Sequence, residues 1–310
     1  MLSDLPQQLV YGLALGSVYS LIALGYSMVY GVLEFINFSH GEVFMVGAFV
    51  SLVVLNGLTG IAGPAAAGPV LFLVMLLAAM LASGLLGVGV ERFAYRPLRR
   101  GGRLAPLISA IGVSFILQNM VMLMQVRFQK DARPQTVDAQ AVVPTGSIQV
   151  LGVHVSYTAI LVFTVSILLM LALNALVSRT NLGRSMRATA QDPAVAGLMG
   201  IDIGKVVTRT FFIGSALAGA AGVLVALYYT QIDYLMGFSA GIKAFTAAVL
   251  GGIGNVKGAM VGGLVLGVTE ALAATLLSAA YKDLVAFALL VGVLALRPGG
   301  LLGRRTMERV

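Results

Sequence analysis

Pro69-Val70-Leu71-Phe72-Leu73-Val74-Met75-Leu76-Leu77-Ala78-Ala79-Met80-Leu81-Ala82-Ser83-Gly84-Leu85-Leu86-Gly87-Val88-Gly89-Val90 carries no charged side chain. With the residues just before it, the run at 66–90 exceeds the roughly 20 residues a helix needs to cross about 30 Å of hydrocarbon. In lipid, backbone polar groups are satisfied only within a helix or a closed barrel, so this run is read as a membrane-spanning helix. Comparable runs occupy residues 8–32, 41–57, 104–124, 155–178, 207–229, 241–255 and 258–296. The last is long enough for two spans, broken at Tyr281-Lys282-Asp283. The 241–255 run is short for a crossing and reads either as a span or as a re-entrant half-helix. The fold class that follows is an all-α polytopic membrane protein of eight or nine transmembrane segments.

Composition points the same way. Of 310 residues, 59% are hydrophobic and only 10% charged, against about 25% charged in a soluble domain. Mean hydropathy is +0.97. The 38 glycines suit helices that pack closely through small residues. The absence of cysteine excludes disulfides, thiolate metal sites and cysteine nucleophiles. Without tryptophan, tyrosine must supply much of any aromatic belt. A net charge of +8 would suit nucleic acid, but the basic residues sit in short segments between apolar runs, as a positive-inside topology requires. Met1-Leu2-Ser3-Asp4 offers no basic leader region, so the first run is expected to be a mature span rather than a signal peptide.

Three basic segments set the expected orientation. Arg92, Arg96, Arg99, Arg100 and Arg103 form the first; Arg179, Arg184, Arg187, Lys205 and Arg209 the second; Arg297, Arg304, Arg305 and Arg309 the tail. Placing all three in the cytoplasm puts the N-terminus outside and the C-terminus inside. Parity between the second segment and the tail then favours a crossing at 241–255, nine in all. The chain reads as one transmembrane domain, 1–310, with a first half at 1–124, an external loop at 125–155 and a second half at 156–310 that includes a cytoplasmic loop at 179–206. Within the external loop, residues 147–155 partly alternate after Thr145-Gly146 and predict a small hairpin.

The two halves carry similar elements. Gly16-Ser17, Tyr30, Glu34-Phe35 and Phe38-Ser39-His40-Gly41 are matched by Gly214-Ser215, Tyr228, Asp233-Tyr234 and Phe238-Ser239-Ala240-Gly241. A duplicated fold places the substrate path at the interface of its copies, so Asn37, Phe38, Ser39, His40, Gly41, Phe238, Ser239 and Gly241 are the candidate path residues. Non-helical backbone at membrane depth survives only against protein or a water-filled cavity. Ser39 and Ser239 are expected to cap the helices that follow. A plain loop with ordinary caps is the alternative. Glu270, inside an apolar run, is the candidate intramembrane acid, with Lys243 as its partner.

The cytoplasmic loop holds a short helix signal. Asp192-Pro193 is a helix start and Gly200 a stop, with Val195, Leu198 and Met199 on one face between them. Two turns are unstable alone in water, so the apolar stripe calls for a partner groove, with the bilayer surface as the alternative. The pattern G-x-x-x-x-G-K-[ST] is missing, so any ATP hydrolysis is expected on another polypeptide. Neither a metal nor a cofactor is called for.

Taken together, the stretches Gly31 to Glu42, Arg184 to Asp202, Gly237 to Gly254 and Arg297 to Gly303 resemble the permease subunits of branched-chain amino acid ABC importers, of the LivH type. The resemblance covers nearly the whole chain. It implies an inner-membrane subunit working by alternating access beside a second related permease, two ATP-binding subunits and a periplasmic substrate-binding protein. It further implies that Ala188–Ile201 is the coupling helix docked on the ATPase. The family's eight-span description differs from the nine given by charge parity and is preferred to it, so 31–60 or 241–255 is expected to be re-entrant. Urea and short-chain amide importers are similar to this family, and an ATP-independent secondary transporter using Glu270 is the contrasting mechanism.

Overall fold

The computed structural model describes residues 5–62, 68–98, 104–129, 132–150 and 152–303. Met1–Asp4, the basic residues Arg99, Arg100, Arg103, Arg304, Arg305 and Arg309, and Leu151 of the expected hairpin lie outside them.

Long helices dominate: α1 (Leu5–Leu33), α2 (His40–Ala62), α3 (Pro69–Val90), α4 (Leu104–Gln129), α5 (Tyr157–Arg179), α8 (Ile203–Tyr229), α10 (Val256–Leu276) and α11 (Lys282–Leu296). Eight helical stretches are long and apolar enough to cross a membrane, the last counted from Ala279. Between α5 and α8 lie α6 (Asn181–Gln191) and α7 (Pro193–Leu198), and after α8 comes the shorter α9 (Met236–Gly251). The strands are brief: β1 (Gln135–Thr136) pairs with β4 (Gln231–Ile232), and β2 (Ser147–Val150) with β3 (Val153–Ser156). The second pair is the expected hairpin, turning at Gly152 with φ +82°.

Local chemistry explains where the helices begin. Ser156, Thr180, Asp192, Asp202 and Asn255 each accept a hydrogen bond from a backbone N–H in the first turn of the helix that follows, satisfying donors that have no partner within the helix. The break in the 258–296 run falls slightly earlier than expected, with Ser278 capping a short 3-10 turn at Ala279–Tyr281. The 181–191 stretch, read from sequence only as loop, is helical because Thr180 caps it and Met186 finds a buried seat.

α1 and α8 are the buried centre, and small residues let their neighbours approach. Gly12 and Gly16 of α1 pack on the Gly263–Gly267 face of α10; a Cβ at Gly16 would lie 2.9 Å from the Gly263 carbonyl oxygen. Gly219 of α8 meets Ser83 of α3 in the same manner. α1 packs on α10 and α9, α8 on α3 and α2, and α2 crosses α9. Lipid gives apolar helices no drive to associate, so this close fit carries much of the cohesion.

Paired ends identify two opposite faces. On one, Gln7 exchanges hydrogen bonds with the His154 backbone at 2.6 and 2.8 Å, Gly68 donates to the Ala141 carbonyl, and β1 pairs with β4. On the other, Gly31 packs on Gly254, and Leu301 and Leu302 donate to the carbonyls of Leu250 and Gly251 at 2.8 and 3.0 Å. The chain from Ile232 to Gly252 therefore passes between faces. Its helix α9 has 16 residues, about 24 Å at 1.5 Å per residue, and the loop before it covers the rest. Among the described residues, eight helices are long and apolar enough to cross a membrane, and α9 is a shorter apolar helix beside them.

Candidate functional site

α1 ends at Leu33, where Glu34 adopts the left-handed conformation (φ 55°) and donates its N–H to the Tyr30 carbonyl at 2.8 Å. The chain then doubles back. The His40 imidazole lies against Gly25 and meets the Tyr26 ring edge-on at 4.8 Å. α2 thus begins level with Gly25, eight residues before the end of α1, or about 12 Å inside the bundle at 1.5 Å per residue. α9 begins at the same depth, because Gly41 packs on Gly237 and Gly241. A Cβ on Gly241 would stand 3.1 Å from the Gly41 Cα, and one on Gly41 would overlap the Gly237 carbonyl. Only glycine permits this crossing.

Beside the crossing lies a cavity of about 420 Å³. Tyr26 of α1, Phe38, Ile111, Ser114, Phe115 and Gln118 of α4, and Phe238, Gly241 and Ile242 of α9 line it. The lining is mostly apolar, with Ser114, Gln118 and Tyr26 as its side chains that carry a polar group. Ser114 donates at 3.1 Å to the Glu42 carboxylate, which is buried against Gly237. Phe38 also faces Phe245 at 6.1 Å.

Of the path residues expected from sequence, Phe38, Phe238 and Gly241 line this cavity. His40 and Gly41 form the crossing. Asn37 and Ser39 are buried behind Phe38 and bond to Tyr95: its hydroxyl lies 2.6 Å from Asn37 Oδ1 and 2.8 Å from Ser39 Oγ. Ser39 precedes α2 as expected, but its hydroxyl bonds to these side chains rather than capping a backbone N–H. Ser239 corrects the expectation outright. It lies inside α9, is exposed, and caps nothing; Asp233 serves the turn before the helix by accepting from Leu235 N–H at 2.7 Å. Glu270 and Lys243 lie away from the cavity, where Lys243 pairs with Glu270 and, at 2.8 Å, with Asp283.

The short helix expected between Asp192 and Gly200 is present as α7. Asp192 Oδ1 accepts from Val195 N–H at 3.0 Å, Pro193 occupies the first turn, and Gly200 turns at φ +85°. Val195, Leu198 and Met199 are 53%, 87% and 79% exposed, so the stripe is uncovered in the isolated chain. Just beyond it, the Asp202 carboxyl is held below its usual value, first by the Lys205 backbone N–H and then by the Lys205 ammonium at 3.0 Å.

Sequence reading missed Tyr26, Ser114 and Tyr95. Nothing local distinguishes these residues, because each acquires its role from a distant contact.

Residues 8–294 match the family described as branched-chain amino acid transport system, permease component. This chain belongs to that family. Its relatives include the high-affinity branched-chain amino acid transport system permease protein BraD of Pseudomonas aeruginosa, 48% identical over 98% of this chain and 97% of that one. LivH of Escherichia coli, with the same description, is 44% identical over the same shares. A probable LivH of Methanocaldococcus jannaschii is 28% identical over 98% of this chain and 95% of its own. No solved structure matches the chain. As a member of a permease family with eight long apolar helices, the chain is a multi-pass membrane protein.

Proposed function

We propose that this permease is the transmembrane subunit of an ATP-driven importer that passes branched-chain amino acids through the cavity lined by α1, Phe38, α4 and α9. The observation that carries the reading is the cavity itself, mostly apolar with a few polar groups, where two interrupted helices meet. Its size falls within the roughly 300–1,000 Å³ of small-ligand sites, and its lining suits an aliphatic side chain. A weakly binding path fits an importer whose specificity resides in a separate binding protein. ATP-binding subunits would dock on α7, a second related permease would complete the cavity wall, and the face bearing Arg179–Arg209 and the C-terminus would be cytoplasmic.

The exchange of partners among the helices supports reading the 1–124 and 156–310 portions as two copies. α1–α10 packing answers α8–α3, α9–α1 answers α2–α8, and α2–α9 answers itself. Glu270, the acid an ion-coupled transporter would need, is already engaged by Lys243, which disfavours that mechanism.

Proteoliposomes holding the complete complex provide the test. Leucine uptake that requires both ATP and the binding protein is expected, with urea and acetamide as poor competitors. Uptake by this chain alone, driven by an ion gradient, would overturn the reading. Because the chain lacks cysteine, a single cysteine at Ser114 reports cavity access, and one at Ser185 reports sidedness.

A further inference from the structure

We propose that Tyr95 is a positioning residue that carries movement of the exposed α7 helix to the cavity loop 34–39, an inference that rests on the importer reading above. Tyr95 closes a π-helical turn, Glu91–Tyr95, at the end of α3. Arg96 N–H bonds to the Glu91 carbonyl there, a five-residue step of a kind found mostly as single turns and often at functional sites. The turn directs Tyr95 inward, where it is fully buried.

Its ring lies between two elements. Phe35 of the cavity loop is 5.2 Å away and Phe211 of α8 is 5.7 Å away. Its hydroxyl meets Asn37 and Ser39, the two neighbours of Phe38, so displacing Tyr95 displaces a cavity wall. On the same turn, Glu91 accepts from Thr208 of α8 at 3.1 Å. Thr208 and Phe211 sit on the first turns of α8, which follows α7 after a four-residue turn through Gly200. Ile201 N–H bonds back to the Ala196 carbonyl at 3.1 Å, and Ile203 packs beside Gly197. The contacts therefore run α7, α8, Glu91 and Tyr95, then Asn37 and Ser39, then Phe38. Stacking alone would hold the loop. A polar cluster buried at this depth is costly unless satisfied, and what it adds is a fixed position for Phe38.

The experiment measures leucine uptake and ATP hydrolysis together in proteoliposomes of the complete complex. Tyr95→Phe keeps the ring contacts and removes the hydroxyl. Leucine moved per ATP should fall about fivefold or more, the size of a coupling change near 1 kcal/mol, while hydrolysis persists and the melting midpoint holds. Thr208→Val, at the other end of the chain of contacts and away from the cavity, should lower the same ratio, and the double variant should add little. An unchanged ratio in both single variants overturns the proposal, as does a proportional fall of uptake and hydrolysis. If the wild-type complex itself shows no ATP-dependent leucine uptake, the importer reading falls and this inference falls with it.

Discussion

Replacing Lys243 with methionine tests how α9 is held. Lys243 is 12% exposed and Glu270 3%, while Asp283, on the other side of the ammonium, is 54% exposed. Among the described residues, Glu270 has Lys243 as its only ion-pair partner. Lys243→Met strands a carboxylate that solvent barely reaches, and removing one partner of a buried pair costs about 3–5 kcal/mol. The half-exposed Asp283 contributes as a surface pair does, so Asp283→Asn should cost less than about 1 kcal/mol. At about 2 °C per kcal/mol for a chain of this size, the Lys243 variant should melt roughly 6–10 °C lower. Lys243→Met with Glu270→Leu removes both charges and should recover most of that loss, since apolar replacement of a buried pair is often neutral. The assay is the temperature at which the detergent-solubilised complex leaves its monodisperse peak. A double variant as labile as Lys243→Met would refute the reasoning, because the stranded charge would then not be the cause. Equal losses for Lys243→Met and Asp283→Asn would refute it as well.

Gly41→Ala should destabilise by about 1–3 kcal/mol through overpacking, because its methyl would overlap the Gly237 carbonyl. Gly57→Ala on the same helix, with nothing within 4 Å, should not destabilise, and equal melting midpoints would contradict the crossing. Leu198→Asp should abolish co-purification with the ATP-binding subunits while membrane insertion persists; unaltered assembly and transport would remove α7 as the docking helix. Because its folded value is depressed, the Asp202 carboxyl contributes its full stabilisation above the unfolded value of 3.8 and loses it as pH falls through the folded value. The Lys205 amide resonance should titrate with a midpoint below 3.8 and cease to do so in Asp202→Asn; a midpoint at or above 3.8 would contradict the cap.

Features encoded by period and punctuation were legible in the sequence. The uncharged 66–90 run contains α3, Asp192-Pro193 and Gly200 bound the α7 turn, and Thr145-Gly146 precedes the hairpin. The Lys243–Glu270 pair was also legible, because an acid inside an apolar run needs a partner. What escaped depended on contacts across the chain. Ser239 looks like a cap by analogy with Ser39, yet α9 starts at Met236, so the serine lies a turn inside. The π-helical turn leaves no local mark, since Glu-Arg-Phe-Ala-Tyr would read equally well as ordinary helix. Ser114 has nothing to distinguish it until α2 brings Glu42 alongside. Glu34 takes a left-handed conformation at the end of α1 where glycine would be the expected choice; its strain is accepted where the chain must reverse into the bundle.

In the two-copy reading, Gly41 corresponds to Gly241, so Glu42 corresponds to Ile242 and Val43 to Lys243. The backbone crossing is shared while its side-chain chemistry differs. α2 has 23 residues and packs along both α3 and α8. It needs little polar help beyond the bond from Ser114 to Glu42. α9 has 16 residues and less length over which small-residue packing can accumulate, and lipid supplies no hydrophobic drive to compensate. An ion pair to α10 and another to α11 make up that deficit, at positions where the longer copy has only valine. The division of labour follows from length: the long interrupted helix is fixed by shape, and the short one by charge. Lengthening the apolar contact of α9 should therefore lessen its dependence on Lys243, whereas no change in α2 should do so.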